Sequence, residues 1–148
     1  MEEKVVDRRV RKTKRQLRLA LMKLMSEKSV KDISVRELAA IADINRVTFY
    51  IHYKDVYDLL SSLEDELADG LTVVCRRHNA KDSEGKTYPY LMELYQFIQQ
   101  NSDLCHVLLG KNGDIAFTDR ICHILRDEFL YDFLAYYYPN APEMLDYF

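Results

Sequence analysis

The sequence predicts an all-α protein, and three observations carry that expectation. Its 148 residues include only four Gly and three Pro, so few positions break a helix. Apolar residues recur at intervals of three and four through most of the chain, the spacing that lines one face of a helix. The polar stretches between these runs carry turn residues, Asn101-Ser102-Asp103 and Lys111-Asn112-Gly113-Asp114 being clear examples. A chain of this length holds one ordinary domain, or a small head with a partial second unit.

Residues 4–18 hold eight cations and one anion. Residues 1–8 read as a solvated leader. From Val10 an apolar stripe begins, at Val10, Leu17, Leu21, Leu24 and Met25, and predicts a first helix running to about Lys28 with a basic outer face. Ser29 to Ile33 connect it to the next element, Val30 and Ile33 closing a small core.

Residues 34–54, SVRELAAIADINRVTFYIHYK, fit two short helices and a tight connection. Ser34 followed three residues later by Glu37 is the reciprocal cap that satisfies orphan amides at a helix start. Leu38, Ala39, Ile41 and Ala42 then form an apolar face with two very small residues, which lets a second helix approach closely. Asp43 and Asn45 favour turns and caps, with Ile44 plugging the turn between them. Asn45 caps a helix to about Tyr53 in which Val47, Phe49 and Tyr53 are the expected inward anchors. Arg46, Thr48, Tyr50, His52 and Lys54 stay outside. All five donate hydrogen bonds and none is an anion, which suits phosphate oxygens and base-edge acceptors in the major groove of DNA. The segment reads as a helix-turn-helix.

A fourth helix is expected from about Asp55 to Arg77, with Val56, Leu59, Leu60, Leu63, Leu67, Leu71 and Val74 inward. The polar stretch 79–87, NAKDSEGKT, is the sharpest break in composition. Tyr88-Pro89 opens a fifth helix with Leu91, Leu94, Tyr95, Phe97 and Ile98 on a broad apolar face, and Asn101 to Asp103 stop it and cap a sixth that ends at Gly110. A seventh is expected from about Ile115 to Tyr138, before Pro139 and Pro142. Its residues Tyr131, Phe133, Tyr136, Tyr137 and Tyr138 cover all its sides, so some face a partner, a pocket or water.

The formal charge of −3 conceals an asymmetry. Residues 1–60 carry fourteen Lys and Arg against nine Asp and Glu, an excess of five cations, whereas residues 61–148 carry seven against fifteen, an excess of eight anions. A basic head on an acidic body suits binding to a polyanion by one end. No run of eighteen apolar residues occurs, and the charged N-terminus has no apolar stretch behind it, so neither a membrane span nor a secretory signal is expected and the expected compartment is the cytoplasm. Cys75, Cys105 and Cys122 have no metal-knuckle spacing; buried or half-buried thiols in a reducing cell are favoured over a Cys105-His106 and Cys122-His123 cluster. No metal, cofactor or enzymatic activity is expected, since phosphate loops, zinc motifs and nucleophile motifs are missing from the sequence.

The segment from about residue 10 to 67 resembles the TetR family of transcriptional regulators, whose motif reads roughly S-x-x-x-[IL]-A-x-x-A-G-[VI]-S-x-x-[ST]-[FL]-Y-x-[HY]-F-x-[DSN]-K-x-x-L. The matching residues are Ser34, Leu38-Ala39, Ala42-Asp43-Ile44-Asn45, Thr48-Phe49-Tyr50, His52-Tyr53-Lys54-Asp55 and Leu59. Asp43 replaces the family's usual Gly and Val56 its usual Lys, which removes one customary phosphate contact. The resemblance implies a three-helix helix-turn-helix DNA-binding domain over residues 1–54 and a helical effector-binding and dimerisation domain over residues 55–148, short for the family, with the fourth helix joining them.

It further implies a sequence-specific regulator of transcription, most often a repressor, that binds double-stranded DNA as a homodimer and responds to a small-molecule effector held between helices 4, 5 and 7. Arg36, Arg46, Val47 and Tyr50 would read base edges. Ser34, Thr48, Tyr50, His52 and Lys54 would hold phosphates, Asn45 would cap the recognition helix at the interface, and Arg9, Arg11, Lys12 and Lys14 would add contacts without sequence preference. The competing reading is a protein-interaction module that keeps the helix-turn-helix for structure and binds a partner through its aromatic-rich body.

Overall fold

The structure, a computed structural model, describes residues 2–77 and 87–130. Within them the fold is all-α, in seven helices: α1 (Glu2–Glu27), α2 (Val35–Ile41), α3 (Arg46–His52), α4 (Val56–Arg77), α5 (Thr87–Gln100), α6 (Ser102–Leu108) and α7 (Ile115–Leu125). A single turn of 3-10 helix, Val30–Asp32, links α1 to α2, and α7 runs on into a π turn, Arg126–Leu130. The expected extension of the seventh helix to Tyr138, with its aromatic residues from Tyr131, lies outside the described residues, as does the polar stretch 79–86.

Helix α1 is longer than its sequence suggests, since the residues assigned to a solvated leader are helical from Glu2. The leader contains no Gly or Pro, and its acidic residues fall where the positive end of the helix dipole favours them. The apolar stripe of α1 is placed as predicted from Leu17 onward, with Leu17, Leu21, Leu24 and Met25 buried and Ala20 beside them.

Helix α4 is the axle of the fold. Val56, Leu59, Leu60, Leu63, Leu67, Leu71 and Cys75 form one buried line along it, spaced by three and four, and that line packs against α1, α5 and α7. Ala68 has no exposed surface, and at Gly70 an added Cβ would stand 2.7 Å from Cε2 of Phe97, so the Phe97 ring of α5 fills the space that a side chain would take there. The buried cluster runs without interruption from Leu17 of α1 through Phe49 of α3 to Ile121 of α7. Ion pairs fasten the rim: Arg18 to Glu66 at 2.5 Å, Asp65 to Arg120 at 2.6 Å, and Arg76 to Glu128 at 2.7 Å. Each pair has at least one well-exposed partner and adds little stability, since solvent screens it.

The α6–α7 turn is built on close backbone approach. Its residue Asn112 donates from Nδ2 to the carbonyl of Met25 at 2.8 Å, satisfying an acceptor in the last turn of α1. Gly113 donates its N–H to the Gly110 carbonyl at 3.0 Å, and the place its Cβ would occupy is filled by the Leu108 carbonyl. Asp114 then caps α7, accepting the Ala116 N–H at 2.9 Å. Because the obstacle at Gly113 is backbone, Gly113→Ala is expected to destabilise the protein by more than ~1 kcal/mol. Thermal unfolding followed by circular dichroism checks this, the expected result being a melting point lower by about 3 °C or more.

Candidate nucleic-acid interface

The helix-turn-helix is held by a chain of local hydrogen bonds that the sequence encodes residue by residue. At the start of α2 the Ser34 hydroxyl accepts the Glu37 N–H at 3.2 Å, while Glu37 Oε2 accepts the Ser34 N–H at 3.1 Å. The second oxygen of Glu37 accepts from Lys28 Nζ at 2.6 Å, tying α2 to the end of α1. The Lys28 ammonium first, and then the Ser34 N–H and hydroxyl, hold the Glu37 carboxyl at about 2.

The turn between α2 and α3 is a Schellman motif. The Ile44 N–H reaches back to the Ala39 carbonyl at 3.0 Å and the Asp43 N–H to the Ala40 carbonyl at 3.3 Å. Asp43 takes φ = 52°, the left-handed position that glycine fills most cheaply and Asp tolerates better than other residues with side chains. Ile44, half-buried, packs on the core as the expected plug. Asn45 then caps α3, its Oδ1 accepting the Val47 N–H at 2.9 Å.

The roll of α3 about its axis is set by Phe49, which has no exposed surface. Tyr50 meets that ring edge-on at 5.5 Å and Tyr53 leans on it at 5.9 Å. Val47, read from the sequence as an inward anchor, is instead 67% exposed. The reason is angular: two residues before Phe49 on a helix lies nearly across from it, about 160° away. Ile41, expected on the inner face of α2, is likewise exposed.

Of the residues singled out in the sequence, Arg36, Asn45, Arg46, Val47, Tyr50 and Lys54 are exposed, and Thr48 and His52 are half-buried. Ser34 is exposed, but its hydroxyl is committed to the cap, where it also donates to Glu37 Oε2 at 3.1 Å. Beyond α3, the Lys54 N–H donates to Asp58 Oδ2 at 2.8 Å and the Asp58 N–H to Asp55 Oδ1 at 2.9 Å. This fixes the Lys54 backbone and leaves its ammonium outside. Val56, at the position where the resemblance would have a cation, is buried in the core.

Two features were not foreseen. Ile51, which fits no donor pattern, is 72% exposed on α3. The second is a cleft of about 540 Å³ between α1 and α4, walled by Lys14, Arg15, Arg18, Tyr53, Leu63 and Glu66. The spacing of its three cations on α1 was the available signal; that Tyr53 closes the far wall required the packing. Cys75 is buried, Cys105 half-buried with its thiol pKa raised by burial, and Cys122 exposed. No group of three potential metal ligands gathers among the described residues. Nor is any described helix long and apolar enough to cross a membrane.

No family model matches the chain. Its structure is similar to the crystal structure of a TetR transcriptional regulator from Streptococcus agalactiae 2603V, with a TM-score of 0.62 and 28% sequence identity, over 90% of this chain and 70% of that one. The chain has a TetR-like fold. The similarity extends through most of the chain, beyond the segment of about residues 10–67 that carries the sequence resemblance. In this TetR-like arrangement the exposed residues of α3 belong to the second helix of the helix-turn-helix, and α4 follows directly from it.

The turn and the cap supply two predictions. Asp43→Gly should stabilise the TetR-like fold, by up to about 1 kcal/mol, through removal of left-handed strain, and Asp43→Val should destabilise it; urea denaturation of the three proteins reads the order. Since the Glu37 carboxyl titrates lower in the folded than in the unfolded protein, its contribution is complete above the ordinary value of 4.5 and fades as pH falls toward about 2. A carboxyl-carbon NMR titration should therefore find Glu37 ionised well below the other glutamates, and Lys28→Met should move its midpoint upward.

Proposed function

We propose that the protein is a sequence-specific DNA-binding regulator of transcription, in which α3 enters the major groove. The observation that carries this reading is the outer face of α3. That helix holds no acidic residue, and with Phe49 buried it leaves Arg46, Val47 and Tyr50 exposed while the caps at Ser34 and Asn45 fix both helices. The similarity to a transcriptional regulator of the same fold supports it.

On this reading residues 1–54 form the DNA-binding unit, and residues 55–148 form the effector-binding and dimerisation unit. Arg36, Arg46, Val47 and Tyr50 face bases, with Arg46 the residue for a guanine. Thr48, Tyr50, His52 and Lys54, with the basic face of α1, hold phosphates; Ser34 contributes to them only by sharing its capping hydroxyl. Two copies bind as a homodimer, since paired half-sites are the usual route to sufficient affinity. Release from DNA on binding a small-molecule effector makes the protein a repressor. The effector would bind between α4, α5 and α7. One observation favours a protein-interaction role for the body: Leu91, Met92, Tyr95 and Ile98 are exposed along α5.

Fluorescence anisotropy against the duplex flanking the protein's own gene, beside a scrambled duplex and at several salt concentrations, tests the proposal. Tight, sequence-dependent binding with a steep salt slope is expected, and equal weak binding to both duplexes would count against it. Arg46→Ala should cost about 1–3 kcal/mol and relax preference at one base pair, whereas Lys54→Ala should weaken all sequences alike and reduce the salt slope by about one.

A further inference from the structure

The most outward positions of α3 are not its hydrogen-bond donors. With Phe49 locked inward, the helical repeat of about 100° per residue places Val47 and Ile51 on either side of the direction opposite it, roughly 40° apart. Arg46 and Tyr50 flank them on one side, Thr48 and His52 on the other. The exposures agree: Ile51 is 72% exposed, Val47 67% and Tyr50 59%, whereas Thr48 and His52 are half-buried. Two β-branched aliphatic side chains therefore form the ridge of a helix whose shoulders are polar. Neither contributes to the buried core, and neither is among the better helix formers, so folding does not account for them.

Resting on the DNA-binding reading above, we infer that this ridge reads C5-methyl groups in the major groove, and that each half-site presents thymine methyls to Val47 and Ile51. The thymine methyl is the one apolar feature on a major-groove base edge, and a branched aliphatic side chain is suited to it. Polar base atoms would be desolvated against such a ridge without a partner, so the same two residues select against bases that present donors or acceptors there. Four residues along a helix advance about 6 Å, close to two base-pair steps of about 3.4 Å. The two methyls accordingly lie within about two base pairs of each other, next to the base pair contacted by Arg46. The same methyl is carried by 5-methylcytosine, and the test separates the two sources.

The experiment starts from duplexes enriched from a random library by the full-length protein. Each thymine of the enriched half-site is replaced in turn by deoxyuridine, which removes the methyl and keeps every hydrogen-bonding group. Wild-type protein should lose about fourfold in affinity at each of two neighbouring positions, the loss expected for one buried methyl-sized group. Val47→Ala and Ile51→Ala, both at exposed sites and checked by circular dichroism for an intact fold, should each become insensitive to the substitution at one of those positions. Replacing the thymine–adenine pair by cytosine–guanine should weaken binding further. Partial recovery with 5-methylcytosine would show that the methyl itself is read; failure to recover would assign thymine through its other groups as well. Wild-type binding that is unchanged by deoxyuridine at every thymine of an enriched site would overturn the inference while leaving sequence-specific binding intact. Enrichment of no duplex would overturn both.

Discussion

The burial of one ring governs the rest of the candidate interface. Phe49 is the buried residue of α3, and a seven-residue helix is too short to hold its own conformation in water. Packing of that ring against the cluster formed by α1, α2 and α4 supplies the missing stability and fixes which way the helix faces. Tyr50, next to it on the helix, and Tyr53, just past the helix end, contact the ring and limit its rocking. Whatever α3 presents outward follows from this single contact, as does the alignment of Val47 and Ile51 along its crest.

The short helices are joined to the long ones by individual side-chain hydrogen bonds. Glu37 bridges the α2 cap to Lys28, Asp58 accepts from Lys54 where α3 gives way to α4, and Asn112 ties the α6–α7 turn to the end of α1. A continuous buried cluster and the ion pairs of Arg18, Arg76 and Arg120 connect α4 to every neighbour that matters. Helices α5 and α7 and the π turn therefore pack on the same helix that leaves the helix-turn-helix.

Much of this was legible in the sequence because it is local. The Ser34–Glu37 cap, the turn at Asp43, the Asn45 cap and the stripe of α4 each depend on residues within a few positions of one another. The register of α3 was not fully legible. Val47 and Phe49 cannot share one face of a helix, but only the packing of Phe49 decides which of the two turns inward, and with it the roll that exposes Val47 and Ile51. Ile41 failed for the same reason: on a two-turn helix the apolar stripe has no clear edge. The cleft walled by Arg15, Arg18 and Tyr53 joins residues far apart in the chain: the spaced cations of α1 mark one wall locally, but nothing local brings Tyr53 to the other. The length of α1 was underestimated because a charged run was read as leader, although nothing in it opposes a helix.

Amide chemical-shift mapping of the labelled protein titrated with an enriched duplex tests most directly whether the outer face of α3, aided by the starts of α1 and α2, is the surface that meets DNA. Perturbations are expected to concentrate at residues 9–14, 34–36 and 45–54, with the largest around Arg46, Val47, Tyr50 and Ile51. Perturbations centred instead on the exposed face of α5, with α3 unmoved, would contradict this reading and make the helix-turn-helix a structural support for a surface elsewhere.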